Sequence, residues 1–270
     1  MNILSLFDGI SCGRIALENA GLKVDTYFAS EIEKYSIKVA LENYPDTIEL
    51  GDINLINASD LPQIDLLIGG SPCQDLSLAK TNGKGLEGAK SGLFWQYIRL
   101  LKETNPKWFL LENVAMKKEW EIIITDAMGV EPIIINSRLL SGQNRVRYYW
   151  TNIPNVTQPI DKNISVNDIL ETDDINAKCG ARRGRKNAEG KYIQLLELRK
   201  DNKTSALTTV DKDNLVLDHG VERFLTQTEL EKLQTLPIGY TSVLSRNQAG
   251  KAIGNAWTVD IITHIFGGLK

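Results

Sequence analysis

Residues 65–77 read DLLIGGSPCQDLS, from Asp65 to Ser77. An apolar run enters two glycines, and Ser71-Pro72-Cys73-Gln74-Asp75 follows. A cysteine that serves packing belongs inside the apolar run. Cys73 stands past its end, behind a proline, where an open α/β sheet places its ligands. The stretch predicts a buried strand whose carboxyl end carries chemistry.

The same rhythm runs outward through the first half of the chain. NILSLF, VDTYFA, IDLLIG, KWFLLEN and EPIIINS read as strands. Between them, 11–20, 32–43 and 93–103 are patterned as helices, the last with Leu93, Phe94, Tyr97, Leu100 and Leu101 on one face. Strands alternating with helices predict an α/β fold with a mostly parallel sheet covered on both faces. Residues 1–150 form this domain. From 151 to 225 the chain is rich in Asn, Asp, Lys, Thr and Arg with short apolar runs, which predicts a small, irregular, mostly β domain. Residues 226–270 then supply a helix with a capping-box signature, Thr226 and Glu229, and an apolar tail expected to pack back on the large domain.

Composition narrows the class. The chain has 270 residues, 42% hydrophobic and 24% charged, as in an ordinary globular protein. No run approaches a membrane span, and the start lacks the marks of a signal peptide. Three widely spaced cysteines, Cys12, Cys73 and Cys179, argue against a disulfide framework and against zinc, and for a reducing cytoplasm. The net charge of −3 excludes a generic polyanion binder. It is unevenly spread, however. Lys178 to Lys203 holds nine Lys/Arg against three Asp/Glu, a local +6. Such a run is either a solvated loop or a surface aimed at phosphates.

Candidate site residues lie at successive strand ends. Phe7-Asp8-Gly9-Ile10-Ser11 is a glycine-bearing turn between a first strand and a helix, the usual nucleotide-binding position, without the G-x-G-x-x-G fingerprint. Asp8 suits an ammonium better than a pyrophosphate. Glu31 suits ribose hydroxyls, and Asp52 beside Ile53 suits an adenine amino group and an apolar wall. Taken singly, Glu31 reads equally as a helix-end charge and Asp52 as a turn residue. Together they favour an adenosine-type cofactor. Glu112-Asn113-Val114 ends another strand, and a carboxyl placed there can serve as a proton donor. Gln143, Arg145 and Arg147 alternate. On one strand they would share a face and form an array for a carbonyl oxygen or phosphate.

Over essentially its whole length the chain resembles the DNA (cytosine-5)-methyltransferase family. The resemblance rests on Phe7-Asp8-Gly9, Glu31, Asp52-Ile53, Ser71-Pro72-Cys73-Gln74, Glu112-Asn113-Val114, Gln143-x-Arg145-x-Arg147 and Gly254-Asn255-Ala256, in family order. FDGISCG, SPCQDLS and GLFWQYIRLL are similar to the animal de novo branch and depart from the F-x-G-x-G-G turn of most bacterial members.

The resemblance implies a Rossmann-like sheet that binds S-adenosylmethionine, with 151–225 as target recognition domain. It implies methylation of cytosine C5 in double-stranded DNA, by base flipping and attack of Cys73 on C6. Glu112 would act at N3, Arg147 at O2, and Arg145 would support the cysteine loop. The cofactor would meet Phe7, Asp8, Gly9, Ile10, Ser11, Glu31, Ile32, Asp52, Ile53, Gly70, Pro72, Asn255, Ala256 and Trp257. DNA would meet Gln74, Ser77, Gln143, Arg182, Arg183, Arg185, Thr208 and Thr209. The glycine-containing stretch 75–92 would close over DNA, and Arg223 and Gln234 would support the recognition domain. No metal is expected. A monomer and a cognate restriction enzyme in the same system both fit, in a prokaryotic or phage-infected cytoplasm. Two competing readings are a tRNA cytosine-5 methyltransferase, whose characteristic Cys-Phe-Thr is absent, and an inactive DNA-binding regulator, which the intact Cys73, Glu112 and Arg147 oppose.

Overall fold

The computed structural model describes residues 1–72 and 91–270. The chain divides into two compact units. One holds 1–135, 146–158 and 262–270; the other holds 136–145 and 159–261.

The first unit is built on a seven-stranded sheet. In chain order its strands are β1 (Asn2–Leu6), β2 (Thr26–Ser30), β3 (Ile48–Glu49), β4 (Leu66–Gly69), β5 (Trp108–Val114), β6 (Ile133–Asn136) and, after a short strand β7 (Gln143–Asn144), β8 (Val146–Thr151). Their order across the sheet is β3-β2-β1-β4-β5-β8-β6. β3, β2, β1, β4 and β5 run parallel, and β8 joins β5 antiparallel. Leu4, Leu6, Phe28, Leu67, Leu111 and Trp150 bury one face together with Phe94, Tyr97 and Ile98 of the helix Phe94–Thr104. The other face carries Ile3, Ser5, Tyr27 and Ala29. There the guanidinium of Arg14, on the helix α1 (Cys12–Asn19), lies 5.4 Å from the Tyr27 ring centre.

This topology fixes where a ligand goes. The chain leaves β1 for β2 and β3 on one side, then returns as β4 on the other. That reversal opens a crevice at the carboxyl ends of β1 and β4. Leu6 is in register with Gly69, so the turn after β1 and the Gly70-Ser71-Pro72 segment start side by side. A Cβ on Gly69 would sit 2.9 Å from the Leu6 carbonyl oxygen and 3.1 Å from the Tyr97 ring, so only glycine fits.

The second unit contains a four-stranded antiparallel sheet. Its strands are β9 (Lys178–Lys186), β10 (Tyr192–Leu198), β12 (Leu215–Asp218) and β13 (Val221–Phe224), in the order β10-β9-β12-β13. A short strand β11 (Thr204–Ser205) pairs with β7. The helix Gln227–Leu233 opens with the expected Thr226–Glu229 capping box. Among the described residues no helix is long and apolar enough to cross a membrane.

One expectation changes. The single strand read across 143–150 is two strands, with Arg145 between them. Gln143 and Arg145 bond inside the second unit, whereas Arg147 pairs within the first. The shared-face array is therefore not formed.

Candidate active site

The turn after β1 is tightly wound. Phe7, Gly9 and Ser11 all hold left-handed backbone, at φ 57, 63 and 58. Such a conformation strains a side chain as large as Phe7 and is often kept at ligand sites. The Asp8 carboxylate turns into the protein, where it accepts the hydroxyls of Ser5, Ser11 and Tyr27 at 2.6, 2.6 and 2.7 Å. Burial pushes its pKa up against those hydrogen bonds. Ile10 and Ser11 are buried beneath the turn.

Glu31, just past β2, accepts the amides of Gly9, Ile32 and Glu33. It thereby ties the first turn to the second strand end. Beside it Ile32 is 73% exposed, an uncovered apolar shelf. Asp52 caps the 3-10 turn Ile53–Leu55 by accepting the Asn54 amide, and Ile53 is buried. Nothing lies within 4 Å of a Cβ placed on Gly9 or on Gly51, so both glycines face open space. Carboxylates, an uncovered apolar shelf and open glycine backbone at a switch point fit a nucleoside cofactor of the adenosine type.

Glu49 ends β3 with both carboxyl oxygens buried and, among the described residues, no hydrogen-bond partner for either. Burial first, then the charges of Asp8 and Glu31, raises its pKa to about 7. Folding thus holds a proton that the unfolded chain gives up near pH 4.5. Stability contributed at this site falls as pH rises from 4.5 to 7 and levels off above that. Glu49→Gln is accordingly expected to raise the melting temperature at pH 8 and to leave it unchanged at pH 4.5. A thermal melt series that showed equal effects at both pH values would refute this assignment.

At the far side of the crevice, the Asn113 side-chain amide donates to the carbonyl and hydroxyl oxygens of Ser71 at 3.3 and 3.0 Å. Asn113 is buried at the end of β5, so it anchors the backbone two residues ahead of Cys73. Cys73, Gln74 and Ser77 lie outside the described residues. Glu112, next to Asn113, is buried and ion-paired: its Oε1 accepts Arg147 Nε at 2.9 Å. The other two thiols are buried, and burial pushes that of Cys179 up to about 12, so it is no ready thiolate.

In the second unit Gln143 is fully buried. Its amide nitrogen donates to Leu233 O and to Gln234 Oε1, and its Oε1 accepts the Leu207 amide. Arg145 donates to Leu207 O and Ala256 O at 2.8 and 2.9 Å. Gln234 also donates to Ile253 O and Ala256 O, which ties the Asn255-Ala256-Trp257 stretch to the same network. Asn255 is exposed, Ala256 buried and Trp257 half-buried. Thr208 and Thr209 press on Gly254: a Cβ there would lie 2.4 Å from Thr208 O. Gly254→Ala is expected to destabilise the protein by about 1–3 kcal/mol through overpacking against backbone, measurable by urea unfolding. An unchanged midpoint would show that the contact yields.

The basic run is β9, its hairpin and β10. Strand alternation puts Arg182 on one face and Arg183 and Arg185 on the other. All three are exposed and each faces a carboxylate: Arg182 pairs with Glu222, Arg183 with Asp213 and Arg185 with Glu197, at 2.7, 3.1 and 2.6 Å. Arg182, Gln194, Lys212, Glu222 and Phe224 line an open groove of about 490 Å³. Lys203, which ends the run, is instead buried, with its ammonium donating to the carbonyls of Arg138, Ser141 and Ile164. Glu49 was not expected at the site. Asn113 had been read only as part of the Glu112-Asn113-Val114 motif, without a role of its own, and Lys203 only as the end of the basic run.

The sequence model of the family described as C-5 cytosine-specific DNA methylase matches residues 1–121 and 135–270. Orphan methyltransferase M.SPRI of Bacillus phage SPR is 42% identical over 116 residues, 42% of this chain, but the match spans only about a quarter of that protein's length. Type II methyltransferase M1.ScrFI of Lactococcus lactis subsp. cremoris is 30% identical over 298 residues, covering 96% of this chain and 75% of the relative. The crystal structure of a mutant of Spodoptera frugiperda DNMT2 superposes with a TM-score of 0.71 at 16% identity, over 99% of both chains. That last likeness concerns the fold alone. The match to the family model, over nearly the whole chain, is what shows that this protein belongs to the C-5 cytosine-specific DNA methylase family.

Proposed function

We propose that the protein transfers a methyl group from S-adenosylmethionine to C5 of cytosine in double-stranded DNA, as a DNA (cytosine-5)-methyltransferase. The observation that carries this is the buried Glu112–Arg147 pair at the end of β5, beside the Asn113 that anchors the entry to Cys73. Bound S-adenosylmethionine supplies an electrophilic methyl group. Glu31, Ile32, Asp52 and the Phe7–Ser11 turn would hold it in the crevice, with Pro72 and Gly70 alongside.

The chain's own residues make C5 reactive. The thiolate of Cys73 bonds to C6 of a cytosine turned out of the duplex, and the electron pair moves toward C5. Glu112 holds a proton at N3 and so relieves the negative charge that develops on the ring. Arg147 fixes the Glu112 carboxyl through Nε while its Nη1 donates to Val146 O, and the donors that remain would meet O2. C5 takes the methyl group and then gives its proton to solvent water; the C–H electron pair restores the C5–C6 double bond, and the Cys73–C6 pair returns to sulfur as thiolate. Arg145 and Gln143 act at a distance, by holding the backbone at Leu207 and Ala256.

Transfer of labelled methyl from S-adenosylmethionine to duplex DNA, and not to tRNA, is the expected result. Labelling of tRNA alone would favour the RNA reading, and labelling of neither would leave the regulator.

The basic hairpin is proposed as a phosphate-binding surface. Replacing Arg182, Arg183 and Arg185 with Gln should flatten the salt dependence of DNA binding by roughly one unit of slope per lost contact. Turnover at saturating DNA should change much less. Because the three arginines face opposite ways, Arg182→Gln alone and the Arg183/Arg185 pair should not contribute equally. Binding that matches wild type at every salt concentration would return the hairpin to a solvated role.

A further inference from the structure

Strand register places Ser5, Ala29 and Glu49 in one lateral row on the same face of the sheet. Ser5 donates to Asp8, and Ala29 stands between Ser5 and Glu49 in the row. The row ends under the cofactor turn. Three carboxyls therefore converge there, and they are held differently. Asp8 has three hydroxyl donors and Glu31 has three amide donors. Glu49 has no hydrogen-bond donor among the described residues, although both its oxygens are buried. The charged groups acting on it are Asp8 and Glu31, both acidic. Arg14, on α1, is not among those groups: it pairs with Asp46 at 2.9 Å and with Glu18 and lies over the rings of Tyr27 and Tyr44, although its Nε and Nη1 make no hydrogen bond among the described residues.

A buried carboxyl without donors and between two acids favours its neutral form. A positive charge brought close would favour ionisation. The cofactor reading supplies one. S-adenosylmethionine carries a sulfonium one methylene from the ribose that Glu31 would hold, and its product is a neutral thioether.

Resting on that reading, we propose that Glu49 lets the cofactor site distinguish methyl donor from spent product by charge: it releases a proton to solvent when the sulfonium binds and keeps it when the thioether binds. After transfer the sulfonium charge is gone, and Glu49 takes a proton back from solvent. Glu49 is a specificity-determining residue here, acting through its charge and touching no reacting atom.

The test is isothermal titration calorimetry at pH 7 in phosphate and in Tris, with S-adenosylmethionine and with S-adenosylhomocysteine. The dependence of heat on buffer counts protons. For the donor, wild type should release about half a proton more than Glu49→Gln, because a group titrating at about 7 is half protonated at that pH. For the product the two proteins should agree. The ligand's own amino group titrates equally in both and cancels. The ratio of donor to product affinity should rise between pH 6 and pH 8 in wild type, by up to roughly tenfold in all, the change in the ionised fraction of a group titrating at about 7, and should rise less in the variant. Wild type alone already tests the idea through this ratio, even if the variant folds poorly. Equal proton counts for both proteins with the donor would overturn the inference and leave the cofactor reading standing. Absence of binding by either ligand would overturn the cofactor reading and this inference with it.

Discussion

Cys73→Ser is expected to lower methyl transfer by at least about a thousandfold, roughly 4 kcal/mol of barrier, while S-adenosylmethionine still binds. A hydroxyl is almost wholly protonated at neutral pH and adds poorly to C6, whereas a thiolate adds readily. The buried thiols Cys12 and Cys179 cannot replace it. Burial takes both out of reach, and that of Cys179 is pushed up to about 12. Cofactor binding should change little, because the side chains that would hold it, Glu31, Ile32 and Asp52, lie after β2 and β3, and the exchange leaves the backbone of Gly70 and Pro72 as it is. Single-turnover kinetics with calorimetry on the same preparation separates the two effects. Transfer by the serine variant within tenfold of wild type would remove Cys73 from the mechanism.

Glu112→Gln is expected to lower kcat by about 10²–10⁴, the usual range for loss of a positioned proton donor or acceptor. The amide keeps the volume and can still hydrogen-bond N3. It cannot supply a proton, and it leaves the largely buried Arg147 guanidinium without its counter-charge. Part of the loss will therefore come from a less fixed Arg147. Arg147→Lys separates the two contributions, since it keeps the positive charge and removes the planar donor set. If the glutamine variant kept a near wild-type kcat from pH 6 to pH 8, proton transfer or hydrogen bonding at N3 would not depend on this carboxyl.

The architecture of the first unit was legible because its strands are buried on both faces. NILSLF, IDLLIG and KWFLLEN are continuous apolar runs, and each proved to be a strand of the sheet. Carboxyl ends of such strands are positions of function by topology alone, and Glu31, Asp52 and Glu112 could be picked out on that basis. What those residues do with their hydrogen bonds was not legible. The Asp8 carboxylate is directed by Tyr27, nineteen residues away, which no local pattern connects to the turn. Gln143 and Arg145 alternate like strand residues, yet partners from Leu207, Leu233, Gln234 and Ala256 draw them inward. The local charge of +6 also overstated the hairpin. Its arginines meet Asp213 from a later turn and Glu222 from a later strand, which a running count of charge cannot place opposite them. Nothing local in the sequence singled out Glu49: it is strand register that sets it beside Ala29, and burial that leaves it without donors among the described residues.

The central claim is that the residue set behind the strand in DLLIGGSPCQDLS attacks cytosine. Duplex DNA in which cytosine is replaced by 5-fluorocytosine tests it, because fluorine at C5 cannot leave as the proton does and the enzyme should be caught on its substrate. Incubation with S-adenosylmethionine, followed by intact-mass and peptide mass spectrometry, is expected to show one methylated nucleotide bonded to Cys73. An enzyme that methylates unmodified duplex DNA but forms no adduct with the fluorinated strand, or forms it at another residue, would contradict the account.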